Sequence, residues 1–265
     1  MVKRVLLLGG CGGFGRAFAK QLNSQNIGRT SVDVSESADI VCDILSQPKV
    51  LVEALENHDV LLMCTAEPTT MATLKVLDDF ELKDKLLVDI CSVKTNVCQL
   101  AENTDKDCEY LSIYPMFGPD RQFAQQNMVV IEVRGETLSK AFQQLLGNMQ
   151  VKLLEATAAT HDQVTAMVQV LTHATLISFA QAQSQLQVPQ ALFDAMATPI
   201  FKSLDDTAQG LLGENPSLYH NIQTANPNGT LGRQALLEAA QQVVSVLGQE
   251  DVQQVVELFE RLRRN

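Results

Sequence analysis

The chain has 265 residues, 46% of them apolar and 19% charged, enough to bury one large core or two smaller ones and too apolar for a disordered or fibrous chain. Lys and Arg total 20 against 31 Asp and Glu, a formal net charge of -11, which argues against an electrostatic grip on nucleic-acid phosphates or anionic lipid and points to a small-molecule partner. No apolar run approaches the roughly 18 residues of a membrane span, and Met1-Val2-Lys3-Arg4 leads straight into a strand-like run without a signal-peptide pattern. The expectation is a cytoplasmic protein with no nucleic-acid and no membrane partner.

From Met1 to about Glu155 short apolar runs alternate with helical patterns, as a parallel sheet with crossover helices requires. The strand candidates are Val5–Leu8, Thr30–Val32, Val60–Cys64, Leu86–Ile90, Met128–Ile131 and Val151–Leu154. All six cysteines, Cys11, Cys42, Cys64, Cys91, Cys98 and Cys108, fall in this half, and none forms a C-x-x-C pair. Four lie in or beside apolar runs, where a reduced cysteine serves as a small core residue, so neither a disulfide framework nor a zinc site is expected.

After Ala156 the texture turns helical. Thr160 with Gln163 reads as a capping box, and Val164, Met167, Val168, Leu171 and Thr175 then recur at helical spacing in a helix expected to reach about Pro189. Further helices are expected over Leu192–Gly213, Leu231–Leu247 and Val252–Arg264, with Pro216 and Asn226-Pro227-Asn228-Gly229 as breaks. Val252, Val255, Val256, Phe259 and Leu262 make an apolar stripe on the last helix that suits a core or a dimer interface.

Five of the 14 glycines lie between residues 9 and 15, directly after the first strand and before a helix. Gly10, Gly12 and Gly15 spell G-x-G-x-x-G: the first permits a tight turn, the second lets a pyrophosphate approach the backbone, and the third lets helix and strand pack closely. With Gly13 and Phe14 they form the expected nucleotide-binding turn, whose helix N-terminus faces the anion. Asp33 follows at the end of the next strand, where an acidic side chain accepts hydrogen bonds from ribose hydroxyls and repels a 2′-phosphate. NAD is therefore expected over NADP, although Arg29 and Ser31 nearby could soften that preference. Thr65, after the strand ending at Cys64, would sit on the carboxyl edge of the sheet beside the cofactor by the switch-point rule.

Four further motifs follow in order: Val88-Asp89-Ile90-Cys91-Ser92-Val93-Lys94; Tyr114-Pro115-Met116-Phe117-Gly118-Pro119-Asp120; His161-Asp162 with Gln169 and His173; and Glu214-Asn215-Pro216-Ser217-Leu218-Tyr219. In this sequence they resemble the successive signatures of the prephenate and arogenate dehydrogenases of tyrosine biosynthesis, and most closely the enterobacterial type. The resemblance implies an N-terminal NAD-binding Rossmann domain (1–156), a helical substrate and dimerisation domain (157–265), and an active site in the cleft between them. It also implies the reaction: a hydride leaves the hydroxyl-bearing ring carbon of a cyclohexadiene for NAD(P)+, the ring carboxylate departs as carbon dioxide, and the ring becomes aromatic.

Residue by residue, the resemblance assigns Ser92, Tyr114 and His173 to the reacting carbon and Lys94, Asp120, Gln169, Lys202 and Tyr219 to substrate binding. Two positions depart from the family pattern. Tyr114 stands where the family has the histidine that takes the hydroxyl proton, and a phenol titrating near 10 is a poor base. Gly210 stands where the family has the arginine that grips the ring carboxylate, and Lys202, eight residues earlier, replaces a second arginine and loses its bidentate fork. The expected activity is oxidation of prephenate or a close cyclohexadienyl analogue. A 4-amino-4-deoxyprephenate-like substrate, a keto or imine reductase on the same scaffold, and an NAD-binding homologue without chemistry are the alternatives. His161 reads as a histidine satisfying local backbone at a helix start.

Overall fold

The computed structural model describes residues 1–104 and 107–263. The chain divides into two compact units, Met1–Asp162 and Gln163–Asn265, so the division falls at 162/163 where the sequence put it at 156/157.

The first unit runs β1 (Arg4–Leu8), α1 (Gly13–Ser24), β2 (Gly28–Asp33), β3 (Ile40–Val41), α2 (Pro48–Glu56), β4 (Val60–Met63), α3 (Glu67–Leu77), β5 (Leu86–Asp89), α4 (Thr95–Glu102), β6 (Glu109–Pro115), β7 (Asn127–Arg134), α5 (Thr137–Asn148) and β8 (Lys152–Glu155). These strands form one sheet in the order β3-β2-β1-β4-β5-β6-β7-β8. Pairing is parallel from β3 through to β6. β1, β4 and β5 are buried on both faces, which is why they read as unbroken apolar runs. Alternate residues feed two cores. Leu6 and Leu8 of β1 pack with Leu51, Leu55 and Leu74 of α2 and α3, while Val5 and Leu7 pack with Phe18 and Leu22 of α1 and Phe142 and Leu146 of α5. Helices therefore cover both faces, as in a doubly wound fold.

Two features depart from the expected parallel sheet. β7 pairs with β6 antiparallel, and β8 runs parallel to β7. Residues 116–126 link β6 to β7 without a helix, and a parallel return needs a crossover of a dozen or more residues that is usually helical. The strands β3 and β6 were also not among the sequence candidates. β6 carries Ser112 and two tyrosines among its apolar residues, yet six of its seven residues are buried.

The helical run that enters the second unit comprises α6 (Ala158–Thr165), a π-helical segment (Ala166–Leu171) and α7 (Thr172–Gln185). Its start is set by Thr157, whose Oγ1 accepts from the Thr160 amide at 3.1 Å, rather than by the expected Thr160 and Gln163 pair. It ends at Gln185 because Gln187 adopts a positive φ of 50° and Pro189 follows. Over Ala158–Gln185 this run is long and apolar enough, by length and composition, to cross a membrane, contrary to the expectation that no stretch approaches that length. In the structure α7 and the π-helical segment pack on α9 (Pro199–Leu212) and α11 (Gly229–Leu247).

The remaining helices are α8 (Gln190–Met196), α10 (Pro216–Ala225) and α12 (Val252–Leu262). The expected single helix over 192–213 is split between α8 and α9 at Thr198-Pro199. Proline keeps the preceding residue extended, and the Thr198 hydroxyl accepts from the Phe201 amide at 3.3 Å. Pro216, read as a break, instead opens α10 at its first position behind the Asn215 cap. Arg264, the expected end of the last helix, lies outside the described residues.

Candidate functional site

The glycine turn behaves as its spacing requires. Gly9 takes a φ of 73°, a Cβ on Gly10 would stand 2.5 Å from the Ser31 side chain, and one on Gly15 would stand 2.3 Å from the Gly9 carbonyl. Gly12 differs, since a Cβ there would meet only the Gly9 oxygen at 3.2 Å; it is the N-cap of α1, and no side chain caps that helix. An uncapped helix start behind an open glycine backbone suits a phosphate group. Asp33, at the end of β2, accepts from the Cys11 amide at 2.9 Å through Oδ2 and from the Ser35 amide at 3.1 Å through Oδ1. The carboxylate is thus fixed beside the turn while keeping further lone pairs for a ribose. These residues fit a dinucleotide.

The neighbours of this turn are equally specific. Thr65 lies against Gly9 and shares a hydroxyl contact of 2.9 Å with Thr70. Phe14 meets Phe117 edge-on at 6.4 Å, and Gly13 lies against Pro119, so the segment leaving β6 lies on the first turn of α1. Arg29 and Ser31 both engage an acidic neighbour. Asp39 Oδ2 accepts from Arg29 at 2.9 Å, from the Ser31 hydroxyl at 2.7 Å and from the Ser31 amide at 2.8 Å. The Ser31 bonds, ahead of the Arg29 charge, hold the Asp39 carboxyl below its ordinary range.

Ser92 is half-buried in the turn between β5 and α4, and Tyr114 is a buried residue near the end of β6. Because Asp89 of β5 pairs with Ser112 of β6, both lie at the carboxyl edge of the sheet, on the side of the glycine turn. Asp120 is exposed in the segment after β6.

Lys94 is a correction. It was expected to hold substrate, yet its side chain is fully enclosed; Nζ lies 2.9 Å from Asp89 Oδ1 and 2.7 Å from the Ile113 carbonyl. Asp89 also accepts from the Tyr110 hydroxyl at 3.0 Å. The ammonium is committed to the interior of the first unit, where a buried charge requires such partners.

In sequence His161 reads as a histidine satisfying local backbone at a helix start, yet His161 and Asp162 belong to this same cluster. His161 Nδ1 lies 2.8 Å from Asp162 Oδ1, and the His161 ring stands edge-on to Tyr114 with centroids 5.2 Å apart. Burial raises the Asp162 carboxyl, but bonds from His161, Thr95 and the Lys94 and Thr95 amides together outweigh it and hold the group below its ordinary range. A carboxylate directly after a histidine at a helix start was the available signal.

In the second unit, Gln169 lies in the π-helical segment, and such segments are frequent at functional sites. His173, in the first turn of α7, meets Tyr219 of α10 edge-on at 4.9 Å, and burial lowers its pKa. Lys202 is exposed on α9. A Cβ on Gly210, also on α9, would meet nothing within 4 Å.

A doubly wound sheet with this turn and this acidic residue, continued by a helical unit, belongs to the dinucleotide-binding α/β class. Residues 157–261 match the family model for the prephenate dehydrogenase dimerization domain. Along its length the chain is 25% identical over 266 residues to the 4-amino-4-deoxyprephenate dehydrogenase of Streptomyces pristinaespiralis, covering 98% of this chain and 90% of the relative. It is 21% identical to a probable arogenate/prephenate dehydrogenase of Methanocaldococcus jannaschii, spanning 98% of this chain and 60% of that relative. The solved prephenate dehydrogenase of Aquifex aeolicus, in complex with hydroxyphenyl propionate and NAD+, shares the fold with a TM-score of 0.73 at 15% identity, covering 99% of this chain and 96% of the other. Residues 157–261 are thus similar to a prephenate dehydrogenase dimerization domain, and along its whole length the chain is similar to dehydrogenases of the prephenate and arogenate type.

Proposed function

We propose that the chain oxidises a cyclohexadienyl substrate of the prephenate type, with decarboxylation, using NAD+. The observation that carries this reading is the presence in one chain of the glycine turn with Asp33 and of a helical half matching the prephenate dehydrogenase dimerization domain. When bound, NAD+ accepts the hydride that leaves the ring. Gly10, Gly12, Gly13, Phe14 and Gly15 hold the pyrophosphate, Asp33 the ribose, and Thr65 flanks the cofactor. NAD is favoured over NADP because Asp33 repels a 2′-phosphate and Asp39 occupies Arg29 and Ser31. Ser92, Tyr114 and His173 are assigned to the reacting carbon, and Asp120, Gln169, Lys202 and Tyr219 to the rest of the substrate.

One residue favours an amino-substituted ring. Hydride loss from a ring alcohol is assisted by a group that draws on the hydroxyl proton as positive charge develops on the less basic oxygen, and Tyr114 stands where the family resemblance has a histidine for that step. With a neutral ring amine, the nitrogen lone pair follows the departing hydride to give an iminium, and the electrons released by loss of carbon dioxide cancel its charge and complete the aromatic ring. Such a substrate, 4-amino-4-deoxyprephenate, needs no protein base at hydride transfer. The S. pristinaespiralis relative is named for it.

The active form in this reading is a homodimer working in the cytoplasm. In a single chain the second unit exposes Ile200 at 84%, Met196 at 78% and Val244 at 72%, a large apolar surface for a second copy to cover. The six free cysteines suit a reducing compartment. Formation of NADH together with one carbon dioxide per turnover, from prephenate or its 4-amino analogue, tests the reading. NAD+ binding without turnover of either substrate overturns it.

A further inference from the structure

We infer that His161 and Asp162 are a positioning pair that fixes the turn carrying Ser92 and the ring of Tyr114 relative to each other; the inference rests on the proposed reading, in which both residues serve the reacting carbon.

All the groups involved lie in the first unit. The N-terminus of α4 has no side-chain cap from its own segment. Asp162 supplies one from 67 residues further along the chain: its Oδ2 accepts from the Thr95 amide at 2.8 Å and the Thr95 hydroxyl at 2.6 Å, and its Oδ1 accepts from the Lys94 amide at 2.9 Å. Ser92 stands two residues before the first of these anchored amides. The same Oδ1 receives His161 Nδ1, which fixes the ring's orientation.

That ring stands edge-on to Tyr114 at 87° between planes. Lys94, whose amide Asp162 holds, brings its Nζ to 5.8 Å from the centroid of the Tyr114 ring. One carboxylate therefore connects, through two routes, to the tyrosine on β6 and to the turn after β5. The His161 and Asp162 side chains are each 1% exposed. A buried pair of this kind gains little stability over apolar packing, and in this inference its hydrogen bonds instead favour one arrangement of the groups they join. Misplacing a reacting group by about 1 Å can lower a rate roughly 100-fold.

The test compares the wild-type chain with Asp162→Asn and His161→Phe. Asparagine turns one acceptor into a donor that faces the Thr95 amide; phenylalanine keeps a ring edge on Tyr114 but breaks the bond to Asp162. Three readouts apply: hydrogen exchange at the Lys94 and Thr95 amides, the ring resonances of 13C-labelled Tyr114, and kcat against KM for NAD+. Asp162→Asn is expected to speed exchange at Thr95 at least tenfold, and both variants to shift the Tyr114 ring signals. Each is expected to lower kcat at least tenfold with KM for NAD+ held within twofold. Unchanged exchange with unmoved Tyr114 signals overturns the inference, and so does accelerated exchange with unchanged kcat, which would leave the pair merely structural. If Asp162→Asn fails to fold, His161→Phe carries the same ring and rate readouts. If the wild-type chain oxidises no cyclohexadienyl substrate, the functional reading fails by itself, while exchange and ring signals still decide whether the pair couples the two elements.

Discussion

Lys94 Nζ and Asp89 Oδ1 meet at 2.9 Å with both side chains fully enclosed, and this ion pair sits beneath the edge of the sheet that carries Ser92 and Tyr114. Removing one partner of such a pair leaves an uncompensated buried charge. Lys94→Ala is therefore expected to destabilise the protein by about 3–5 kcal/mol, read as a fall in the denaturation midpoint. A lysine that served only to hold substrate would instead raise KM and leave the midpoint where it is.

Asp33 should decide the cofactor. Asp33→Asn removes the charge that repels a 2′-phosphate while an oxygen remains to accept from the Cys11 amide. The expected outcome is at least a tenfold loss in the ratio of kcat/KM for NAD+ over NADP+. An unchanged ratio would move the discrimination elsewhere on the turn.

Much of this site was legible in the sequence because it is local. The glycine turn lies within seven consecutive residues, and its constraints, a positive φ at Gly9 and close backbone at Gly10 and Gly15, need no distant partner to be read. The apolar runs that became β1, β4 and β5 were equally plain. β6 was not legible, because a strand buried on both faces that still contains Ser112 and tyrosines shows neither alternation nor an unbroken apolar run. Lys94 is a related case: its position after a strand is visible in sequence, but its enclosure depends on Asp89 and on the Ile113 carbonyl of β6, the strand that shows no plain pattern. The role of Asp162 lay further out of reach, since its partners are 67 and 68 residues away.

Gly210 gives a gain-of-function test. It lies inside α9, where glycine costs about 1 kcal/mol relative to a good helix former, and a Cβ there meets nothing within 4 Å. Gly210→Arg should raise stability by up to about 1 kcal/mol. On the proposed reading it should also lower KM for prephenate, read by steady-state kinetics. A gain in stability with KM unmoved would separate Gly210 from carboxylate binding.

His173 sets a pH dependence. Burial lowers its pKa below 6.5, so the unfolded chain takes up a proton at a pH where the folded chain does not. Its contribution to stability is complete above about pH 6.5 and declines as the pH falls through that value towards the lower folded pKa. His173→Gln should flatten this limb of a stability profile measured from pH 8 to pH 5; an identical slope in both proteins would count against a buried neutral histidine.

The exposed apolar face of the second unit predicts self-association. Phe259 and Leu262 on α12 are 57% and 64% exposed, whereas Leu258 is buried, so the stripe faces outward in a single chain. Sedimentation at micromolar concentration should give a dimer of the 29.1 kDa chain. Replacing an exposed apolar residue of this unit such as Val244 with Asp should shift it towards monomer.

The central claim is tested most directly by following NADH absorbance with purified protein, NAD+ and, in parallel, prephenate and 4-amino-4-deoxyprephenate. The account predicts NADH formation, with kcat/KM at least tenfold higher for the amino substrate because Tyr114 is a poor proton acceptor. Saturable NAD+ binding with neither substrate oxidised would contradict it.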